Sequence, residues 1–281
     1  VKPRNATSAP STCSKTNGAA ERSTSAKWFA YYAGTPANTT KPPPSGFFHD
    51  QIWGDKLSLE IFTELTQGTD EWLAARAGIV TASVVGQLIT PKTIKPAVND
   101  YSRGLTTLLA AERITGHVEP IHESSDMLRG TLDEPFARDL YSEHFAEATE
   151  VGFMVRDDWG FRIGYSPDGL VGDDGLIEIK SRRQKKQLAT ILADEVPLEN
   201  MAQIQCGLLV SGREWLDYVS YCGGMPLYVK RVLPDPKWFH AIFQAVEAFE
   251  DNAAQMVKNY QTNTAGRPAT ERINHFEEMR F

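Results

Sequence analysis

The sequence predicts an α/β fold. Segments with strand alternation fall at 161–166, 176–180, 215–221 and 227–233, and helix-patterned segments at 99–116, 127–145, 201–210 and 238–257 lie among them. A hydrophobic share of 41% in a chain of 281 residues is enough for a sizeable core. There is no internal repeat, Walker-type phosphate loop or dinucleotide glycine fingerprint. No long apolar run suggests a membrane helix, and no basic-then-apolar start suggests a secretion signal, so a soluble intracellular protein is expected. Cys13, Cys206 and Cys222 are odd in number and lack any Cys-x-x-Cys pairing, which points away from a disulfide framework or a zinc or iron–sulfur cluster.

The formal net charge of -7 counts against a protein that coats nucleic acid by bulk attraction. The first fifty residues are net positive, so the remainder is more acidic still. Any nucleic-acid contact must use a local basic surface, and Lys180, Arg182, Arg183, Lys185 and Lys186 form the candidate, with an ordinary solvated loop and helix start as the plainer role.

Taken in order, residues 1–50 are rich in Ser, Thr, Pro, Ala and Asn and are expected to be a flexible arm, leaving 51–281 as a single domain. Within the arm, Trp28, Phe29, Tyr31 and Tyr32 are suited to docking on the main domain or on a partner. After an apolar-periodic stretch at 57–65, Thr69 can cap a short helix carrying Trp72, Leu73 and Arg76 that Gly78 closes. Thr81 or Ser83 can cap a second helix through Ile89, stopped by Pro91. Arg76 and Ser83 then flank a tight corner, where a cation and a helix-start hydroxyl suit a phosphate; the alternative is a surface ion pair and a simple cap.

Asn99 and Gly116 bracket a helix read as packing only. The helix from 127 to 145 carries Leu128, Leu132, Phe136 and Leu140, and places Glu134 near the line of Ala137, Tyr141 and Phe145. A buried carboxylate there needs a partner, which a metal or its water, a helix N-terminus or a buried arginine could supply. Residues 151–156 and 161–166 read as a hairpin, with 176–180 as a third strand. The helix from 201 leaves Gln203 beside its apolar face, placed to orient water or a phosphate or simply to meet solvent.

Chemistry concentrates in GYSPDGLVGDDGLIEIK, Gly164 to Lys180. Alternation puts Glu178 and Lys180 on one face and Ile177 and Ile179 on the other. A turn at Pro167, Asp168 and Gly169 folds the chain back, bringing Asp168 beside Glu178. Two carboxylates converging near a lysine suit a hard divalent cation, with the amine free to hold or deprotonate a water. The same residues also satisfy plainer roles, a turn former and a solvated edge pair.

Five blocks in order, Trp72-x-x-x-Arg76-x-Gly78-x-x-Thr81-Ala82-Ser83, Gly130-x-x-x-Glu134-x-x-Ala137, Ser166-Pro167-Asp168-Gly169-Leu170, Glu178-Ile179-Lys180 and Gln203-x-Gln205, resemble the phage lambda exonuclease family of viral recombination nucleases. The resemblance implies a restriction-endonuclease-like core, a mixed β-sheet flanked by helices. It implies Mg²⁺-dependent digestion of duplex DNA from 5′-phosphorylated ends, with Mn²⁺ as a substitute, leaving 3′ single strands. It further implies a ring-shaped homotrimer, a single-strand annealing partner, no membrane, and the cytoplasm of a bacterial host. On that pattern Asp168, Glu178 and the carbonyl of Ile179 are metal ligands and Lys180 stands by the attacking water. Glu134 serves the metal–water network, Gln203 edges the site, and Arg76 with Ser83 takes the 5′ phosphate. Lys92, Arg182 and Arg183 are candidate DNA contacts. An endonuclease or repair nuclease of the same fold, or a DNA-binding module without turnover, remains an alternative from sequence.

Overall fold

The computed structural model describes residues 58–120 and 124–273. The expected arm over residues 1–50 and Cys13 therefore lie outside the described residues, which fall within one compact unit beginning at Leu57. The chain enters on β1 (Leu59–Phe62) and passes α1 (Asp70–Arg76), β2 (Val80–Thr81), α2 (Ala82–Val85) and a 3-10 turn at Gly86–Leu88. The short pair β3 (Ile89–Thr90) and β4 (Lys95–Pro96) leads into α3 (Asp100–Thr115) and α4 (Ser125–His144). Five strands follow: β5 (Ala148–Thr149), β6 (Phe153–Arg156), β7 (Ile163–Tyr165), β8 (Gly169–Val171) and β9 (Gly175–Ser181). Then come α5 (Gln184–Ala193), α6 (Leu198–Ser211), β10 (Trp215–Tyr221), β11 (Tyr228–Val232) and the long α7 (Pro236–Thr264).

The strands build two mixed sheets, ordered β1-β6-β7-β2 and β11-β10-β9-β8-β5, beside the small β3-β4 ribbon. In the larger sheets β2–β7 and β9–β10 run parallel and the other pairs antiparallel. A parallel neighbour requires a crossover, and α5 with α6 provides it between β9 and β10. The expected hairpin is present as β6–β7, with Met154 opposite Tyr165 and Arg156 opposite Ile163. Its expected third strand belongs elsewhere. After Tyr165 the chain leaves the first sheet, crosses at Ser166-Pro167-Asp168, and enters the second as β8, which pairs with β9 through Gly169 opposite Ile177. At three residues, β8 is too short to register as an alternating segment and reads as part of a turn.

Several helices differ from the sequence reading in instructive ways. Thr69 caps α1 as expected, its hydroxyl accepting from the Trp72 N–H. The second helix ends at Val85 instead of running to Ile89, and Thr81 at its start makes no side-chain cap. The polar segment after β9, given no helix from sequence, contains α5; of the basic candidates Lys180 lies in β9, Arg183 is the α5 N-cap, and Lys185 and Lys186 sit in its first turn. On α4 the buried positions are Ala137 and Tyr141, while Leu128, Leu132 and Phe136 face outward. Leu105 and Leu109 of α3 are buried, whereas Tyr101 and Leu108 are exposed. Among the described residues no helix is long and apolar enough to cross a membrane.

Two faces of β9 meet different bodies. Ile177 and Ile179 pack with Ala137 and Tyr141 of α4 and with Val171 and Val219. The opposite face, bearing Glu178, looks toward α6, which also packs on β6, β7 and β10 and so spans both sheets. That span depends on Gly207: a Cβ there would meet the Tyr165 ring at 2.7 Å. Tyr165 and its surroundings are fully buried, so the ring has nowhere to retreat. Gly207→Ala is expected to destabilise the fold by about 1–3 kcal/mol, the usual cost of overpacking, and chemical denaturation would measure it. An unchanged midpoint would show that Tyr165 can move.

Candidate active site

β9 outruns β8. The register ends with Gly169 opposite Ile177, so the edge of β9 from Glu178 onward lacks a ladder partner on that side. Asp168 fills the gap, its Oδ2 accepting from the Ile179 N–H at 2.6 Å. In an extended strand the N–H and C=O of one residue point to the same edge, so the Ile179 carbonyl opens into the space that Asp168 occupies. The fold-back predicted from Pro167-Asp168-Gly169 thus brings a carboxylate and a main-chain carbonyl together.

Glu178 lies beside them, 1% exposed, and three donors fix its carboxylate. Lys180 Nζ donates to Oε1 at 2.6 Å, Gln203 Nε2 donates to the same oxygen, and the Tyr165 hydroxyl donates to Oε2 at 3.3 Å. Burial and the neighbouring Glu178 push the Tyr165 phenol far up, so it remains a donor. Glu134 reaches this edge from α4 and is bonded by Arg138 Nη2, whose guanidinium also donates through Nε to the main-chain oxygen of Asp168 at 2.7 Å. A part-buried arginine is therefore the partner Glu134 needed.

Charge crowding marks the site. Burial raises the Asp168 carboxyl well above the usual carboxylate range, and the charges of Glu178 and Glu134 add to the rise against a counter-pull from Lys180. Glu134 is also raised, by burial first and against the opposing charge of Arg138. For Lys180 burial works downward, but Glu178 and Asp168 outweigh it and raise the ammonium. Asp168, Glu178 and the Ile179 carbonyl offer hard oxygen donors with excess negative charge, the set that suits Mg²⁺ or Mn²⁺. Among the described residues no three His, Cys, Asp or Glu side chains converge to hold a metal by themselves, so the carbonyl and water must complete any coordination shell.

A second cluster sits next to the first. Arg76 Nη2 donates to Thr81 Oγ1 at 3.0 Å and to Ser83 Oγ at 3.2 Å, and the two hydroxyls lie 3.0 Å apart. The guanidinium stacks 4.1 Å from the Trp72 ring centroid, and Trp72 Nε1 donates to Ser166 Oγ at 3.0 Å, two residues before Asp168. Thr81, freed from capping, thus joins Arg76 and Ser83 in one hydroxyl-lined corner tied to the acidic centre. The corner itself is held from α3. Gly78, at φ +67°, donates its N–H to Glu112 Oε2 at 2.7 Å and its carbonyl accepts from Arg113 Nε at 2.7 Å, while Arg113 donates a pair of bonds to Glu250 of α7. The helix read as packing only is the clamp on this corner.

The remaining candidates stand apart. Lys92 is exposed in the turn between β3 and β4. Arg182 is folded inward, bonding Asn200 Oδ1 at 2.5 Å and the Tyr218 hydroxyl at 3.1 Å. Arg183 is 68% exposed and pairs with Asp126. Sequence reasoning missed Tyr165, Arg138 and the Glu112–Arg113 clamp; of these only Glu134-x-x-x-Arg138 carries a signal, the one-turn spacing of a helical ion pair.

A proline-led aspartate and a Glu-x-Lys strand gathered at the open edge of a mixed sheet define a restriction-endonuclease-like protein of the PD-(D/E)xK class. The chain belongs to the YqaJ-like viral recombinase domain family, whose description matches residues 71–214, a span holding every residue of both clusters. Among solved structures it is similar to an alkaline exonuclease, LHK-Exo, from Laribacter hongkongensis, at 33% identity and a TM-score of 0.63 over 70% of this chain and 98% of that one. The structure of LHK-Exo in complex with dAMP gives the same identity, coverage and TM-score. A phage-related exonuclease from Haemophilus somnus 129PT, 11% identical with a TM-score of 0.51 over 65% of this chain and 96% of its own, shares the fold. No curated protein matches the chain.

Removing one of the crowded charges should help the fold. Asp168→Asn keeps an oxygen for the Ile179 N–H and ends the repulsion with Glu178. In chelator at neutral pH it is expected to raise unfolding stability, because a carboxyl with a raised folded-state pKa costs stability as pH rises toward and above that pKa. Thermal and denaturant unfolding would read this, and a loss of stability would contradict the charge assignment.

Proposed function

We propose that the chain is a Mg²⁺-dependent 5′-to-3′ exonuclease that digests duplex DNA from 5′-phosphorylated ends and leaves 3′ single strands for recombination. The observation that carries this reading is the convergence of Asp168, Glu178 and Lys180 at the uncovered edge of β9, joined through Ser166 and Trp72 to the Arg76 corner. Family membership and the likeness to alkaline exonucleases support it. The dAMP held by LHK-Exo is of the size that stepwise digestion releases.

In this reading Asp168, Glu178 and the Ile179 carbonyl hold the cation, and Glu134 hydrogen-bonds water at the same edge. A bound Mg²⁺ supplies Lewis-acid polarisation of the phosphate and a more acidic water; the same oxygens accept Mn²⁺. Lys180 holds the attacking water, whose oxygen bonds to phosphorus as the bond from phosphorus to the 3′ oxygen of the terminal nucleotide breaks. The attacking water releases a proton to solvent, and the departing 3′ oxygen takes one from solvent water to become a hydroxyl. Gln203 and Tyr165 keep Glu178 from turning, which preserves the geometry on which positioning catalysis depends. Arg76, Thr81 and Ser83 receive the terminal 5′ phosphate, and each cut regenerates that group on the shortened strand. Lys92 and Arg183 are exposed cations suited to the duplex backbone, whereas Arg182 orders the loop after β9.

Assembly follows from the same reading. Leu128, Leu132 and Phe136 form an exposed apolar ridge along α4, and burying it against another copy supports a homotrimer around the DNA. A single-strand annealing protein in a bacterial cytoplasm is the expected partner for the 3′ strands.

The test is digestion of end-labelled linear duplex beside closed circular duplex, with and without Mg²⁺. Mononucleotide release from linear ends only, abolished by chelation, is the expected result; cutting of the circle would make the protein an endonuclease. Lys180→Ala should lower kcat by about 10²–10⁴-fold with duplex binding retained. Arg76→Ala should erase most of the preference for a 5′ phosphate over a 5′ hydroxyl, read as the ratio of kcat/KM on the two ends. An unchanged ratio would remove the corner from the reading.

A further inference from the structure

Arg138 takes no part in the reaction as proposed, yet its side chain is only 12% exposed and serves acceptors from three parts of the chain. Nη2 donates to Glu134 one turn earlier on α4. Nη1 donates to Glu150, just beyond β5, at 2.9 Å. Nε donates to the main-chain oxygen of Asp168 at 2.7 Å. An arginine serving only a helical ion pair would leave Nε to solvent. Here it is aimed at the backbone of the residue that crosses between the two sheets.

The consequence is that Asp168 is held at both ends. Its carboxylate is fixed by the Ile179 N–H and its carbonyl by Arg138, while the same guanidinium sets the position of Glu134. A guanidinium is a rigid planar fork, so the two acceptors it bonds are fixed relative to each other as well as to the helix. Groups that orient ligands in this way tune metal affinity without touching the ion.

We propose that Arg138 is the positioning residue of the acidic centre, holding the Asp168 backbone and the Glu134 carboxylate at a set separation so that a divalent cation finds its oxygens already in place. This rests on the reading of Asp168 and Glu178 as cation ligands. The ordering contact is absent from any account in which the helix merely packs on the sheet.

The experiment measures Mn²⁺ binding to the full chain without DNA, following the free ion by electron paramagnetic resonance, alongside thermal unfolding of each variant. Wild type should bind saturably, and Arg129→Gln, the same chemical change earlier on α4, should bind alike. Asp168→Asn should lose binding. Arg138→Gln should bind about 10–100-fold more weakly while unfolding cooperatively, and Arg138→Lys should fall between, because one ammonium replaces a three-way fork. In digestion assays the Mg²⁺ concentration for half-maximal rate should move by the same factor as the Mn²⁺ affinity, with KM for duplex ends close to wild type. If Arg138→Gln does not fold, Arg138→Lys decides by the same readouts. Wild-type affinity in the folded Arg138 variants, or a loss that only tracks the unfolded fraction, overturns the proposal and leaves the cation reading standing. Unchanged binding in Asp168→Asn overturns that reading and the proposal together.

Discussion

One backbone N–H governs this structure. Because β8 stops opposite Ile177, the Ile179 N–H faces an edge with no strand to receive it, and a buried amide left unpaired is costly. The chain answers with the Asp168 carboxylate, delivered by the crossing from one sheet to the other. Satisfying that single donor forces a second acid into the neighbourhood of buried Glu178 and turns the Ile179 carbonyl toward both. A requirement of β-sheet bonding thereby assembles a cluster of oxygens that no sheet needs for its own sake.

The cost is electrostatic, and the surroundings are arranged to contain it. Lys180 and Gln203 share one oxygen of Glu178 and Tyr165 takes the other, while Arg138 holds the backbone of Asp168. Gly207 leaves room for the Tyr165 ring beneath α6, so the packing of a helix across two sheets and the orientation of a carboxylate are one fact. Asp168 and Glu134 still carry raised carboxyls because burial and like charge outweigh these partners. Residual repulsion of this kind fits the proposed cation site, where stability would be exchanged for function.

Much of this was legible in the sequence. Strand alternation placed Glu178 and Lys180 on one face, the Pro-Asp-Gly signal gave the fold-back, and the Trp215–Tyr221 strand matches residue for residue. What was not legible depends on neighbours. Alternation cannot assign β7 and β9 to different sheets when the connecting strand is three residues long. Periodicity finds an apolar stripe on α4 but not what covers it, and Leu128, Leu132 and Phe136 proved to face outward. Glu112 and Arg113 carried no signal in a helix read as packing only, because their partners, Gly78 and Glu250, are far away in sequence. Thr81 read as a cap by residue type, but its hydroxyl is taken by Arg76. The arginine that completes Glu134 had been one of several equal options, since spacing shows that a pair can form and not that it is buried.

The claim beneath all of this is that the open edge of β9 is where a divalent cation binds. Crystals of the protein soaked in Mn²⁺ and measured at an anomalous wavelength would test it most directly. The account predicts a peak within about 2.0–2.5 Å of the Asp168 carboxylate, the Glu178 carboxylate and the Ile179 carbonyl oxygen. A peak elsewhere, with those three oxygens uncoordinated at saturating Mn²⁺, would contradict it.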